Sequence, residues 1–138
     1  LLAEQAGLRV LARLRGPYQG NVGAARRDWA RNEPELVVAY IRGYLAAVSW
    51  LYEPANRSEA CAILERNVPV ITTGLAAASY PVLLNPGGGF FRDGRIQDNG
   101  VREVLRLRSR YAAERRVLSD PGKYIDLRYW ELAQSRTH

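Results

Sequence analysis

GNVGAARRDWARNEPELVVAYIRGYLAAVSWLYEPANRSE, residues 20–59, puts one long helix at the centre of the chain. Asn32 suits an N-cap, Pro34 fits a first turn that needs no N–H from it, and Glu35 stands three residues past the cap, where a reciprocal carboxylate belongs. Val37, Tyr40, Ile41, Tyr44, Leu45, Val48, Leu51 and Tyr52 then recur at spacings of three and four, leaving Glu35, Arg42 and Ser49 as a narrow polar seam. The pattern predicts about five helical turns, apolar on most sides and in need of cover. Pro54 ends them, because the residue before a proline avoids helical geometry and proline donates no hydrogen bond.

Upstream, residues 1–6 read as the tail of a helix stopped by Gly7. LRVLARL, residues 8–14, alternates apolar and polar residues like a half-buried strand whose neighbours are not in view. Gly16-Pro17 marks a turn, YQGNVGAARR (18–27) a glycine-rich extended or crossover segment, and Asp28 suits the cap of a brief turn. Downstream, a second helix is predicted over about residues 57–66 with Ala60, Ile63 and Leu64 inward, broken at Asn67-Val68-Pro69. A third runs over about 74–84, capped by Thr72 or Thr73 and packed through Leu75, Ala78 and Val82, with Pro81 disturbing its last turn. NPGGGFFRDGR (85–95) is a loop anchored by Phe90-Phe91. Asp98 or Asn99 caps a fourth helix over about 100–113 with a stripe of Val101, Val104, Leu105 and Tyr111, and residues 118–121 begin another turn. Tyr124, Ile125, Leu127, Tyr129, Trp130 and Leu132 predict a short amphipathic C-terminal helix.

The chain has 138 residues, the size of one domain, with no internal repeat or linker. Arg42 interrupts the longest apolar run well before the ~20 residues of a membrane helix. LLAEQAG lacks the basic and apolar regions of a secretory signal. Methionine is absent altogether, so the chain is expected to be a processed, truncated or cleaved segment of something longer. The net charge of +6 is compatible with nucleic acid or an anionic surface, but the arginines are scattered.

Few residues carry a case for chemistry. Cys61, among Ala60, Ala62, Ile63 and Leu64, reads as a small buried hydrophobe, and the lone His138 makes neither a metal cluster nor a Cys/His pair with it. Gly87-Gly88-Gly89 lacks the Lys-Ser/Thr of a nucleotide loop. Glu53, Glu59 and Glu65 fall near helix ends or on solvated faces without a histidine. Arg102, Arg106, Arg108 and Arg110 with Arg115-Arg116 partly imitate a recognition helix, but Glu103 and Glu114 interrupt them. Tyr18, Gln19 and Asn21 are the candidate ligand-binding residues, since they flank glycines in an accessible connection where ligands are often met. No catalytic or metal-binding residue and no cofactor is expected.

The order of three blocks carries a resemblance: GPYQGNVGAARRDWARNEPELVVAYIRGYLAAVSWLYEPANRSEACAIL, then GFFRDGRIQDNGVREVLRLRSRY, then LSDPGKYIDLRYWELA. The chain resembles the C-terminal part of periplasmic solute-binding proteins of ABC importers, in the group handling nitrate, sulfonates, taurine and thiamine-pyrimidine precursors. That family's step into a long helix is matched by Arg27, Asp28, Trp29, Ala30, Pro34 and Glu35, and its helix end by Trp50, Leu51, Tyr52, Pro54, Ala55, Asn56 and Arg57. Its ending is matched by Asp120, Pro121, Lys123, Tyr124, Asp126 and Tyr129. The resemblance implies a two-lobed α/β, periplasmic-binding-protein-like fold of which this chain is a mostly α-helical C-terminal part with one or two N-terminal strands. Residues 1–27 would finish the second lobe and cross the hinge, and 28–138 would wrap the first.

The implied function is capture of a small organic or anionic solute for delivery to an ABC permease, outside the cytoplasm and at the membrane. It is non-enzymatic and without a nucleic-acid partner, and a fragment of this kind would form a homo-oligomer through its uncovered apolar faces. The competing readings are a small basic helical nucleic-acid-binding domain and a thiamine-pyrimidine biosynthetic protein sharing the fold, whose key histidine has no counterpart here.

Overall fold

The computed structural model describes residues 2–12, 16–114 and 116–135, and the regular structure among them is helical, without a strand. In chain order the helices are α1 (Leu2–Gln5), α2 (Arg27–Asn32), α3 (Pro34–Leu51), α4 (Arg57–Asn67), α5 (Thr73–Leu83), α6 (Asp98–Tyr111) and α7 (Arg128–Gln134). Single 3-10 turns occupy Pro54–Asn56 and Pro121–Lys123. None of the helices is long and apolar enough to cross a membrane. The chain divides into two compact units, one comprising Leu1–Leu14 and Gly43–Gly94, the other Arg15–Arg42 and Arg95–His138.

In the first unit, Gly7 stops α1 as expected. Its φ of 83° is the left-handed conformation that closes a Schellman motif, with Leu8 N–H bonded to Ala3 O and Gly7 N–H to Glu4 O. The strand expected at 8–14 is not formed in its described part, and 13–14 lie outside the described residues. A ladder needs the backbone of a second strand, and here Leu8, Val10 and Leu11 stay exposed.

The end of α3 behaves as Pro54 requires. The helix stops at Leu51, and Asn56 Nδ2 donates to Trp50 O at 2.9 Å, tying the 3-10 turn back to it. Helix α4 packs on α5, and Thr72 caps α5 by accepting from Leu75 N–H. Helix α5 runs through Pro81 and ends two residues later, so the missing N–H costs a single bond near its end. Among the described residues of this unit the buried apolar side chains are Val48, Ala60, Leu75 and Ala76. Ala60 and Leu75 are thus buried as expected, while Ile63 on α4 and Ala78 and Val82 on α5 are exposed. Tyr80 supplies the alternative contact, its hydroxyl donating to Leu51 O and its ring lying 5.8 Å from the Arg57 guanidinium.

In the second unit, the expected cap at Asn32 is not what begins α3. Asn32 is the last residue of α2, and Glu33 accepts the first α3 bond from Val37 N–H. The brief turn expected at Asp28 is a full helix, and that helix uses up Asn32. Asp28 lies in its first turn and Arg26 is its N-cap. Helix α6 starts at Asp98 after Gln97, so neither Asp98 nor Asn99 is its cap, and Tyr111 of the expected stripe is exposed while Leu105 is buried.

The C-terminal helix is shorter than the apolar spacing predicted. Tyr124, Ile125 and Leu127 lie outside α7, which begins at Arg128 with Leu127 as its N-cap, while the Asp126 carboxylate accepts from Arg128 N–H. Arg42 reaches the end of α7, donating to Leu132, Ala133 and Ser135 carbonyls at 3.3–3.4 Å, where a cation meets the negative end of a helix.

Candidate functional site

Residues 17–26 take no regular structure, yet the segment is pinned. Gln19 uses both ends of its amide: Oε1 accepts from Gln97 N–H at 3.0 Å, and Nε2 donates to Asn21 O at 3.0 Å. Gly100, buried in the first turn of α6, completes the seat. A Cβ there would stand 2.8 Å from Gln19 N and 3.2 Å from Tyr18 C, so the extended backbone lies directly on the helix. Glycine is required by this close approach. The Tyr18 ring folds over Gly20, and the Tyr40 ring approaches Gly23.

Of the three expected ligand residues, the structure gives Gln19 an internal role and leaves the other two outward. Tyr18 is 62 % exposed and Asn21 is exposed, while Gln19 is half-buried. They share one segment, with Gln19 bonded to Asn21, but converge on no enclosed cavity.

What sequence reasoning missed lies a few residues on. An open hollow of about 530 Å³ is lined by Ala24, Ala25, Arg26, Asp28, Trp29 and Asn32. The two alanines leave the Trp29 indole uncovered, while Arg26 grips Asp28 through Nε and Nη2. That hydrogen-bonded guanidinium, helped by the Trp29 amide, holds the Asp28 carboxyl below the usual carboxylate range. The hollow thus offers an aromatic shelf, an ionised carboxylate and the Asn32 amide. The signal in the sequence was Ala24-Ala25 next to Trp29, small residues beside a large one, visible only once α2 was known to be helical.

In the same unit, a second fastening lies at Asp126, against α2. Arg128 donates to it through Nε and Nη2 at 2.9 and 2.6 Å, and Arg27 donates to Lys123 O at 3.1 Å. The Arg128 contact, reinforced by the charge of Arg27, keeps Asp126 ionised below the usual carboxylate range. Tyr129 OH donates to Ala30 O, joining α7 to α2. Among the described residues no group of His, Cys, Asp and Glu has the arrangement of a metal site. Comparison with known protein families, with curated proteins and with solved structures finds no match to this chain.

Proposed function

We propose that the chain belongs to the solute-binding component of an ABC-type importer, as the helical C-terminal part of a two-lobed α/β protein that hands a small organic or anionic solute to a membrane permease. The observation that carries the reading is the pinned segment at Tyr18–Asn21. It is held to α6 by Gln19 and Gly100 while a phenol and an amide face outward. A connection fixed in place yet open to solvent is where a hinge-closing protein meets its solute. The three ordered blocks of sequence and the mostly helical structure agree with this reading, and so do the apolar side chains that α3 leaves uncovered, Leu36 at 56 % and Tyr40 at 69 % exposure. The protein catalyses no reaction in this proposal; its work is capture and release outside the cytoplasm.

Titration of nitrate, taurine and an aminopyrimidine, followed through backbone amide resonances, tests it. Saturable shifts at Tyr18, Gln19 and Asn21 with one of these solutes support the assignment. Resonances that stay still up to tens of millimolar of all three remove it.

A further inference from the structure

The charge of this protein is not evenly shared. In the first unit Arg9, Arg13, Arg57, Arg66 and Arg92 are cancelled by Glu4, Glu53, Glu59, Glu65 and Asp93, so the whole net charge of +6 belongs to the second. Within that unit, α6 carries Arg102, Arg106 and Arg110 at four-residue intervals, a row about 12 Å long on one side of the helix. Beside the row runs an open groove of about 440 Å³, lined by the three arginines, Ser109, Leu118 and Ser119, with Val117 standing almost fully exposed at its edge.

The wall of the groove is fixed in advance. Ser109 Oγ accepts from Leu118 N–H at 2.8 Å and donates to Leu105 O at 2.8 Å, so residues 117–119 are moored to α6. No carboxylate is among the lining residues. The carboxylates that pair with the row approach from outside it: Asp98 takes Arg102 through Nε, and Glu103 takes Arg106 through Nε and Nη2. A guanidinium has five N–H donors, so both keep donors for a second anion while their side chains are held in place.

We infer that the groove between α6 and residues 117–119 binds a small organic phosphate, its anionic groups on Arg102, Arg106 and Arg110 and its apolar part against Val117 and Leu118. Phosphate suits the planar fork of arginine, which donates to two of its oxygens at once. The volume is that of a small-molecule site. The row is only about 12 Å long, which matches a small anion better than a long polyanion.

The test is calorimetric titration of the full chain with inorganic pyrophosphate and with 1-naphthyl phosphate at fixed ionic strength, against the variants Arg102→Gln and Arg110→Gln. Both side chains are exposed, so circular dichroism should be unchanged. The expected result is saturable binding of both probes, weakened about tenfold by either variant and unchanged by Arg66→Gln in the other unit. Absence of binding at ten millimolar overturns the inference, and so does equal affinity in wild type and variants. Tighter binding of an oligothymidylate of about 20 nucleotides, with steep salt dependence, also overturns it in favour of nucleic acid.

Discussion

The Tyr52 hydroxyl is 2.6 Å from Phe90 O and 3.2 Å from Leu84 O, so one phenol holds both ends of the glycine-rich loop against the end of α3. Arg92 covers the same ring at 4.3 Å. Tyr52→Phe keeps the ring and its cation–π contact and deletes only the hydroxyl; we expect a loss of about 1 kcal/mol in urea unfolding. Unchanged stability would mean that solvent satisfies these carbonyls equally well. Asp126 makes a pH prediction. Its folded pKa is depressed by Arg128, so the stabilisation is present above the unfolded carboxylate pKa and is lost as the pH falls through the folded value. Stability should begin to decline as the pH drops below about 4, and Asp126→Asn should flatten that part of the profile. An identical acid limb in the variant would show that the pair contributes nothing. The partners of Tyr52 were not visible in the sequence, where it read as one apolar position among eight, because they lie 32 and 38 residues away, whereas Arg128 is only two residues from Asp126.

Among the helices, two glycines make opposite predictions. A methyl group added at Gly43, inside α3, would meet nothing within 4 Å, so Gly43→Ala should stabilise by about 0.5–1 kcal/mol through helix propensity alone. At Gly100 the same change drives a methyl into the backbone of Gln19, and overpacking should outweigh propensity, for a loss of about 1–3 kcal/mol. Thermal unfolding of the two variants checks this, and shifts of the same sign would refute the close packing of residues 18–19 on α6. Arg42→Met should leave α3 intact but free the carbonyls at the end of α7, seen as faster amide exchange there. Helix positions were legible because caps and prolines act locally, as at Gly7, Thr72 and Pro54. The faces were not, because whether Ile63, Ala78 or Val82 is buried depends on which helix arrives opposite. Asn32 failed as a cap for a related reason: the preceding residues formed α2 and absorbed it.

For the protein as a whole, the buried apolar side chains among the described residues are Ala30, Val48, Ala60, Leu75, Ala76 and Leu105, and half of these are alanine. Such a set removes little apolar surface from water, while Leu36, Tyr40, Ile63 and Val82 stay exposed. We expect light scattering at several concentrations to give a mass above that of one chain, reduced towards the monomer by the double change Leu36→Ser and Tyr40→Ser. A concentration-independent monomer would contradict it. Sequence alone determined the helical character of the chain, the approximate span of each main helix and the position of the loop at 85–95, because propensity, periodicity and capping act within a few residues. Only the tertiary structure decided that residues 8–12 form no strand, that Gln19 is spent on α6, that Trp29 borders an open hollow and that three arginines share a groove with residues 117–119. Each of these depends on what residues distant in sequence bring alongside, and local chemistry carries no record of that.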